Sequence, residues 1–286
     1  MSSLRKPLIE KLTYGLLGGS FGFVFLCLMV ILGIVFYNSA GTLSLSFLLQ
    51  NPTDGMTKGG IFPIMVGTIY VTLISAVMSV PFGVFTAIYL NEYASDNAYT
   101  RLIRLSIRNL AAVPSIVYGL FGLAIFVKTM NFGTSVLSAG LTLGLLSLPV
   151  IIAASEEALR NVPASYRDGA FALGLTQWQV LRKNVIPVAM PGILTGVILG
   201  ISRAMGETAP ILFTGVAFFL PETSLSLNSQ FMALPYHLYI MSTQHHDIDG
   251  VRGIAYSTAA VLIMLSLGLN IIASLIRYTY QKGQQT

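Results

Sequence analysis

SEEALRNVPASYRDGAFALGLTQWQVLRKNVIPVAMP, from Ser155 to Pro191, is the one long polar run in a chain otherwise made of apolar segments. It reads as two short helices joined by a glycine. Asn161 or Ser165 can cap the first helix, Pro163 fits its first turn, and Asp168 follows Ser165 at capping-box spacing. Gly174 supplies the stop, because the residue just past a helix end commonly needs a left-handed backbone. Thr176 with Gln179 makes a second capping box, opening a helix that carries Trp178, Val180 and Leu181 before Pro187 and Pro191 mark the next apolar segment. Phe171, Leu173, Trp178 and Leu181 are apolar among Arg167, Asp168, Arg182 and Lys183. The hairpin is therefore expected to present a hydrophobic knob at a membrane surface, suited to a socket on another protein.

The segments around it place the chain in a membrane. The 286 residues are 54% hydrophobic and 9% charged, outside the range of a soluble domain. The expected fold is all-α, a polytopic transmembrane helical bundle. One cysteine, Cys27 in the first apolar segment, leaves no intramolecular disulfide or cysteine metal cluster to argue from. The basic balance, with a pI near 9.3, comes from residues at the ends of apolar segments. Topology explains them, and no basic face interleaved with aromatics points to nucleic acid.

About six spans are expected. The first is centred on Gly15 to Tyr37 and is read as a retained anchor: its apolar stretch is too long for a signal-peptide core and no clear cleavage site follows. Asn38 to Gly60 reads as a polar loop with turn chemistry at Asn51 to Gly55. The others are about Pro63 to Leu90 with a kink at Pro81, Ala111 to Val127, Gly133 to Ala154, Gly192 to Leu220 and Gly253 to Ile276. Pro114, Gly119 and Gly122 suggest that the third is broken or closely packed. Arg101, Arg104 and Arg108 share a helical face that is expected to meet lipid headgroups. Pro221 to Arg252 reads as the longest outer loop. It holds all three histidines, and its adjacent His245, His246 and Asp247 lack the further ligands a metal ion requires. Twelve of the sixteen Lys and Arg residues fall on one side if both termini and the 155–191 hairpin are cytoplasmic, which sets the expected orientation. Residues 1–60 are read as tail, anchor and outer loop, 61–277 as one transmembrane domain and 278–286 as a cytoplasmic tail. Gly192, Gly196 and Gly200 form a small-residue face that packs either within the chain or against a second subunit.

No catalytic set emerges: no phosphate loop, no zinc-protease helix, no supported Ser/His/Asp arrangement. Arg203 and Glu207 are the informative charges. Inside a span each costs at least ~2.5–3.5 kcal/mol on insertion scales unless it is paired or wet. Their i, i+4 spacing puts them on one helical face, with Gly200 and Gly206 leaving room for a ligand. An arginine offers forked donors to an oxyanion and a carboxylate can accept a proton that such an anion still carries. The pair is therefore either part of an anion pathway or a structural strut.

Asp168-Gly169-Ala170, three residues, Gly174, nine residues, then Asn184-Val185-Ile186-Pro187 resembles the EAA loop (E-A-A-x3-G-x9-I-x-L-P) of bacterial ABC importer permeases. It departs from that pattern at Asp168, Gly169 and Asn184. With Ser202-Arg203-Ala204-Met205-Gly206-Glu207-Thr208-Ala209-Pro210, the chain resembles phosphate-specific permeases of the PstA type over roughly Ile61 to Arg277. The resemblance implies a type I importer permease fold. It assigns ATPase coupling to Asp168, Gly169, Ala170, Gly174, Trp178 and Pro187, and the substrate pathway to Arg203, Glu207 and Thr208. It implies a non-catalytic subunit with no cofactor of its own, ATP and Mg being bound by a separate ATP-binding subunit. The other implied partners are a second, homologous permease subunit, an extracytoplasmic phosphate-binding protein, inorganic phosphate and membrane lipid, with no nucleic acid. Other oxyanions such as molybdate, sulfate or phosphonate are the alternative substrates. An ion-coupled secondary transporter is the alternative mechanism, and one that has no need of a docking hairpin.

Overall fold

The computed structural model describes residues 5–220 and 225–282. The first four residues, the 221–224 piece of the expected outer loop and the 283–286 end of the expected tail lie outside the described residues. The chain is a helical bundle with a small hairpin at one end. In order it forms α1 (Arg5–Ser39), α2 (Leu45–Leu49), a two-stranded ribbon of β1 (Pro52–Thr53) and β2 (Lys58–Gly59), and α3 (Phe62–Ile88). Then come α4 (Ala98–Ala111), α5 (Ser115–Gly122), α6 (Val136–Arg160), α7 (Ala164–Ala172), α8 (Gln177–Val180) and α9 (Ile186–Gly206). Last are α10 (Ala209–Thr214), α11 (Leu234–Thr243) and α12 (Arg252–Lys282). Among the described residues five helical runs are long and apolar enough to cross a membrane, and the bent pair α4 and α5, set at 103°, brings the number to six.

Four expectations are corrected. The third span begins at Ser115 and ends in a wide π-type turn, Leu123–Thr129; Pro114, which cannot continue α4, sets the break. The fourth runs six residues past Ala154 to Arg160, so Ser155–Arg160 belongs to the span and not to the hairpin loop. The fifth begins inside the hairpin, because a π-type turn, Leu181–Val185, carries α8 into α9 and absorbs Pro187 at the helix start. It stops at Gly206, well short of Leu220, because Glu207 is extended (φ −78°, ψ 132°) and Pro210 opens a new helix. The expected loop from Pro221 to Arg252 is in its described part a packed layer, with α11 at its centre.

α6 is the centre of the bundle, with α3 on one side and α9 on the other. In lipid, association rests on close contact and internal hydrogen bonds, and both come from small residues. A Cβ added at Gly192 or Gly196 of α9 would stand 2.5 Å from the Cβ of Ala158 or Ala154, and one at Gly200 would stand 2.6 Å from Ile151. The small-residue face of the fifth span is thus used within the chain. Gly83 of α3 likewise receives Ile151, and Gly140 and Gly144 of α6 receive Ile74 and Met78. Buried hydroxyls return their protons to the preceding turn, as Thr68, Thr72 and Ser79 do on α3 and Thr142 on α6. Ser147 Oγ donates across to the Gly200 carbonyl at 3.1 Å. α1 stands apart: its side chains from Thr13 onward are mostly exposed, and it meets α12 near its end, where Ser257 Oγ donates to the Ser39 carbonyl at 3.4 Å.

At the end opposite the hairpin, the segment before α11 lies against α3. The Leu234 amide donates to Thr68 Oγ1 at 2.8 Å, and a side chain at Gly67 would collide with the Met232 carbonyl. His237 and His245, expected in an exposed loop, are both buried. His237 shares a hydrogen bond with Thr258 of α12 at 3.2 Å. Burial, and secondarily the nearby His245, pushes its pKa from 6.5 down to about 4. Between those values the unfolded chain binds the proton that the folded chain refuses, so stability rises with pH. We expect α11 packing to weaken as pH falls through 6.5 towards 4, by roughly 3 kcal/mol in all. Hydrogen-exchange protection of Leu234–Thr243, each rate taken relative to the intrinsic rate at that pH, should fall across that range in the parent and stay flat in His237→Gln; equal pH dependence in both would refute this.

Candidate functional site

The hairpin is built by its caps. α6 ends on Asn161, whose Nδ2 donates to Glu157 Oε1 at 3.2 Å, and the residue before α7 is Pro163, extended at φ −56°, ψ 140°. Neither Asn161 nor Ser165 caps α7, and Asp168 sits on its exposed side. Proline fixes the turn geometry, leaving no place for the expected Ser165/Asp168 box. The stop is as expected. Gly174 has φ +79°, its amide donates to the Phe171 carbonyl at 2.9 Å, and Leu175 reaches back to Ala170 at 3.3 Å. These are the two bonds of a Schellman ending. The Thr176–Gln179 capping box is present in both directions.

Of the expected coupling residues, Asp168, Gly169, Gly174 and Trp178 are on the exposed side, whereas Ala170 is buried and Pro187 half-buried at the start of α9. Leu173 is 83% exposed and Trp178 58%, with Phe171 and Tyr166 beside them near half. That is the knob, less Leu181, which is buried against Leu90, Leu159 and Val185 where α8 turns into α9.

Two ion-pair clusters under the hairpin were missed by sequence reading. Arg167 of α7 donates to both carboxylate oxygens of Glu92, at 2.7 and 3.3 Å, and also to the Leu159 and Val162 carbonyls. Gln177 of α8 donates to the Glu92 carbonyl at 2.7 Å. On the other side Arg104 of α4 donates to Glu156 of α6 and to the Leu90 carbonyl, both at 2.7 Å, while Arg160 joins Glu156 at 3.1 Å. Arg104 is therefore turned into the protein, against the expectation of a headgroup-facing stripe; Arg101 does lie on the surface, where it holds the Asp96 carboxyl below its ordinary value by hydrogen bond and charge. The available signal was the scarcity of acids: Glu92 and Glu156 each adjoin an apolar span end in a chain with 11 acidic residues.

The second candidate site is the break after α9. Arg203 lies in its last turn and Glu207 is the first residue beyond it, so the two do not share a helical face; they still pair at 3.4 Å between Nε and Oε1. Among the described residues neither Nη atom of Arg203 has a hydrogen-bond partner, and the Thr208 hydroxyl has none. Gly200, filled by Ile151, leaves no room, but Gly206 has open space beside it. Across the break the backbone of α10 touches α5 at Gly119, where an added Cβ would stand 3.0 Å from the Pro210 Cα. From Ile186 to Arg203, α9 rises about 25 Å, so the two sites occupy opposite ends of one helix. Among the described residues no three His, Cys, Asp or Glu side chains converge on a possible metal position; the His245 ring instead accepts from the Asp247 amide at 3.1 Å and faces the Gly55 carbonyl at 3.3 Å.

A discontinuous span beside a small-residue helix core, with an exposed hairpin at one end, makes this a polytopic helical membrane protein. Residues 79–282 match the binding-protein-dependent transport system inner membrane components, and the chain belongs to that family. It is a multi-pass membrane protein with the type I ABC importer permease architecture. It is 36% identical to the "Phosphate transport system permease protein PstA 1" of Mycobacterium tuberculosis, over 77% of this chain and 71% of that protein. It is 30% identical to the "Probable ABC transporter permease protein YqgI" of Bacillus subtilis, over 94% and 95% of the two chains. Among solved structures, a chain of a bacterial ABC transporter that imports the polysaccharide alginate matches with a TM-score of 0.63 over 98% of both chains, at 10% identity. An inward-facing MetNI methionine transporter chain matches at 0.61, over 77% of this chain and 97% of that one, at 15% identity. These two likenesses carry the fold alone.

Gly174 offers a local test. A β-branched side chain at φ +79° costs about 1–2 kcal/mol, and nothing else packs at that position. Gly174→Val should reach the membrane at parent abundance yet expose the hairpin to protease, while Gly174→Asn, which tolerates left-handed backbone, should resist cleavage nearly as the parent does. Equal resistance of the valine variant would show that the hairpin angle does not depend on this residue.

Proposed function

We propose that this chain is a permease subunit of an ATP-driven importer that carries inorganic phosphate across the bacterial cytoplasmic membrane. The observation that carries the reading is the charged break at Arg203, Glu207 and Thr208 in an otherwise apolar helix. Relatives whose names specify phosphate transport support the substrate. Glu207 engages Nε and leaves the Nη fork of Arg203 open to two oxygens of a tetrahedral anion. The same carboxylate accepts a P–OH hydrogen bond, which favours hydrogen phosphate over sulfate, whose unprotonated oxygens would meet the carboxylate as like charge.

The distribution of Lys and Arg supports a cytoplasmic hairpin and cytoplasmic termini. There Asp168, Gly169, Ala170, Gly174, Trp178 and Pro187 would meet an ATP-binding subunit that holds ATP and Mg, so that this chain needs no cofactor. A second, homologous permease completes the pathway, an extracytoplasmic phosphate-binding protein delivers the anion, and 61–277 is the transport domain. Opening alternates between the two sides as the ATPases dimerise and separate.

Two measurements on the reconstituted complex test this. Phosphate uptake should stop when the partner's ATP hydrolysis is blocked and continue when ion gradients are collapsed with ATP present. Uptake by this chain alone under a proton or sodium gradient would replace the reading with a secondary transporter. For the break, Arg203→Lys keeps the charge and loses the fork, so uptake should fall about tenfold or more, as expected for one charge-assisted contact of ~1.5–3 kcal/mol, with the complex intact. Glu207→Gln should lower uptake while ATP hydrolysis continues. If Arg203→Met with Glu207→Leu transports like the parent at matched abundance, the pair is a strut, since an apolar pair often replaces a buried ion pair at little cost.

A further inference from the structure

Whatever moves the hairpin reaches α6 and α9 directly, because the chain runs from α6 into α7 and from α8 into α9. α3 has no such covalent link, yet it makes the most extensive contact with α6. Its hairpin end is the π-type turn Tyr89–Tyr93, closed by the Ala94 amide donating five residues back to Tyr89 at 2.9 Å. Within that turn both helices of the hairpin grip one residue. α7 holds the Glu92 carboxylate through Arg167, and α8 holds the Glu92 carbonyl through Gln177. The grip is stiff. Arg167 is fixed by the Leu159 and Val162 carbonyls at the end of α6, and both charged side chains are largely buried, Glu92 at 10% exposure and Arg167 at 21%. Leu90, two residues earlier, is packed among Leu159, Val162 and Val180.

We propose that Glu92 is the positioning residue that couples the hairpin to α3, so that displacement of α7 and α8 by the docked ATPase moves the end of α3 together with α6 and α9. The assignment rests on the importer reading above, and it adds a third helix to the two that the chain connectivity already drives. Without the clasp the hairpin would still dock and the ATPase would still turn over, but α3 would lag and the pathway would not open fully. The expected signature is uncoupling and not loss of assembly.

The test uses the whole transporter in liposomes with its binding protein and phosphate, in a Cys27→Ser background. Glu92→Gln and, separately, Arg167→Gln should lower phosphate delivered per ATP hydrolysed at least fivefold, while co-purification of the ATPase and binding-protein-stimulated hydrolysis stay within twofold of the parent. Glu92→Cys with Arg167→Cys should be uncoupled in the same way and regain most of the parent ratio when a short bis-thiol-reactive linker bridges the two cysteines. A purely stabilising ion pair predicts a different pattern, in which the Gln variants lose assembly and ATP hydrolysis along with transport. A parent-like transport ratio in both Gln variants, or loss of ATPase co-purification that the tether does not restore, overturns the proposal. Failure of the importer reading is seen separately, as a parent complex that takes up no phosphate on ATP.

Discussion

Ile151 lies between two glycines, and the bundle depends on that arrangement. Its Cγ2 meets the place where Gly83 of α3 would carry a side chain and its Cγ1 the corresponding place at Gly200 of α9, and the residue is fully buried. In water such contacts would add to a hydrophobic driving force. In lipid, tails are as apolar as isoleucine, so helices associate through dispersion at short range and through hydrogen bonds. A side chain at either glycine would push α3 or α9 off α6 and forfeit the contacts along the whole seam. Ser147 reaching the Gly200 carbonyl is possible for the same reason, since the glycine brings that backbone within range.

Charge placement follows from how α6 is packed. Its buried middle carries hydroxyls such as Thr142 and Ser147 that find acceptors within the helix or across the seam, and its carboxylates, Glu156 and Glu157, come only at the hairpin end. The pairs there, Arg104–Glu156 and Arg167–Glu92, are short and mostly buried, and each arginine also holds backbone carbonyls. Breaking one partner of a buried pair costs about 3–5 kcal/mol, although the intact pair adds little over an apolar replacement. Their effect is to fix which residues meet. Arg203–Glu207 differs in each respect: it is longer, more exposed on the arginine side, and leaves donors unpaired. One kind of pair joins neighbouring elements at the hairpin end, and the other leaves capacity for a ligand.

Much of this was legible in the sequence, for identifiable reasons. The Thr176–Gln179 box and Gly174 were found because they act through local hydrogen bonds and a backbone sign that depend on few neighbours. Spans were found by composition, but their ends were not. Ser155–Arg160 is polar and still helical because Glu156 finds Arg104 from a helix 52 residues earlier in the chain, a partner no local pattern reveals. Pro187 and Pro191 read as a boundary because a proline removes a helix hydrogen bond; a wide turn at Leu181–Val185 accommodates that loss, so α8 continues into α9. Arg203 and Glu207 were correctly paired and wrongly placed on one face, since their spacing suits an ion pair across a helix end as well as along a helix.

The wide turns are unevenly placed among the central helices. A π-type turn is rare and recurs at functional sites. α3 carries one at Tyr89–Tyr93 and α9 begins on one at Leu181–Val185, both at the hairpin end, whereas α6 between them is α-helical from Val136 to Arg160. The two helices that slot their glycines over Ile151 therefore each have a wide turn beside the hairpin, whereas α6, which bears Ile151, carries Pro149 within its helix. The glycine seams bring backbones close, and side chains of the facing helix fill them, Ile151 at both Gly83 and Gly200. The wide turns of α3 and α9 thus lie at the hairpin end, that of α3 holding Glu92, while the contact at Ile151 holds the three helices together further along the bundle.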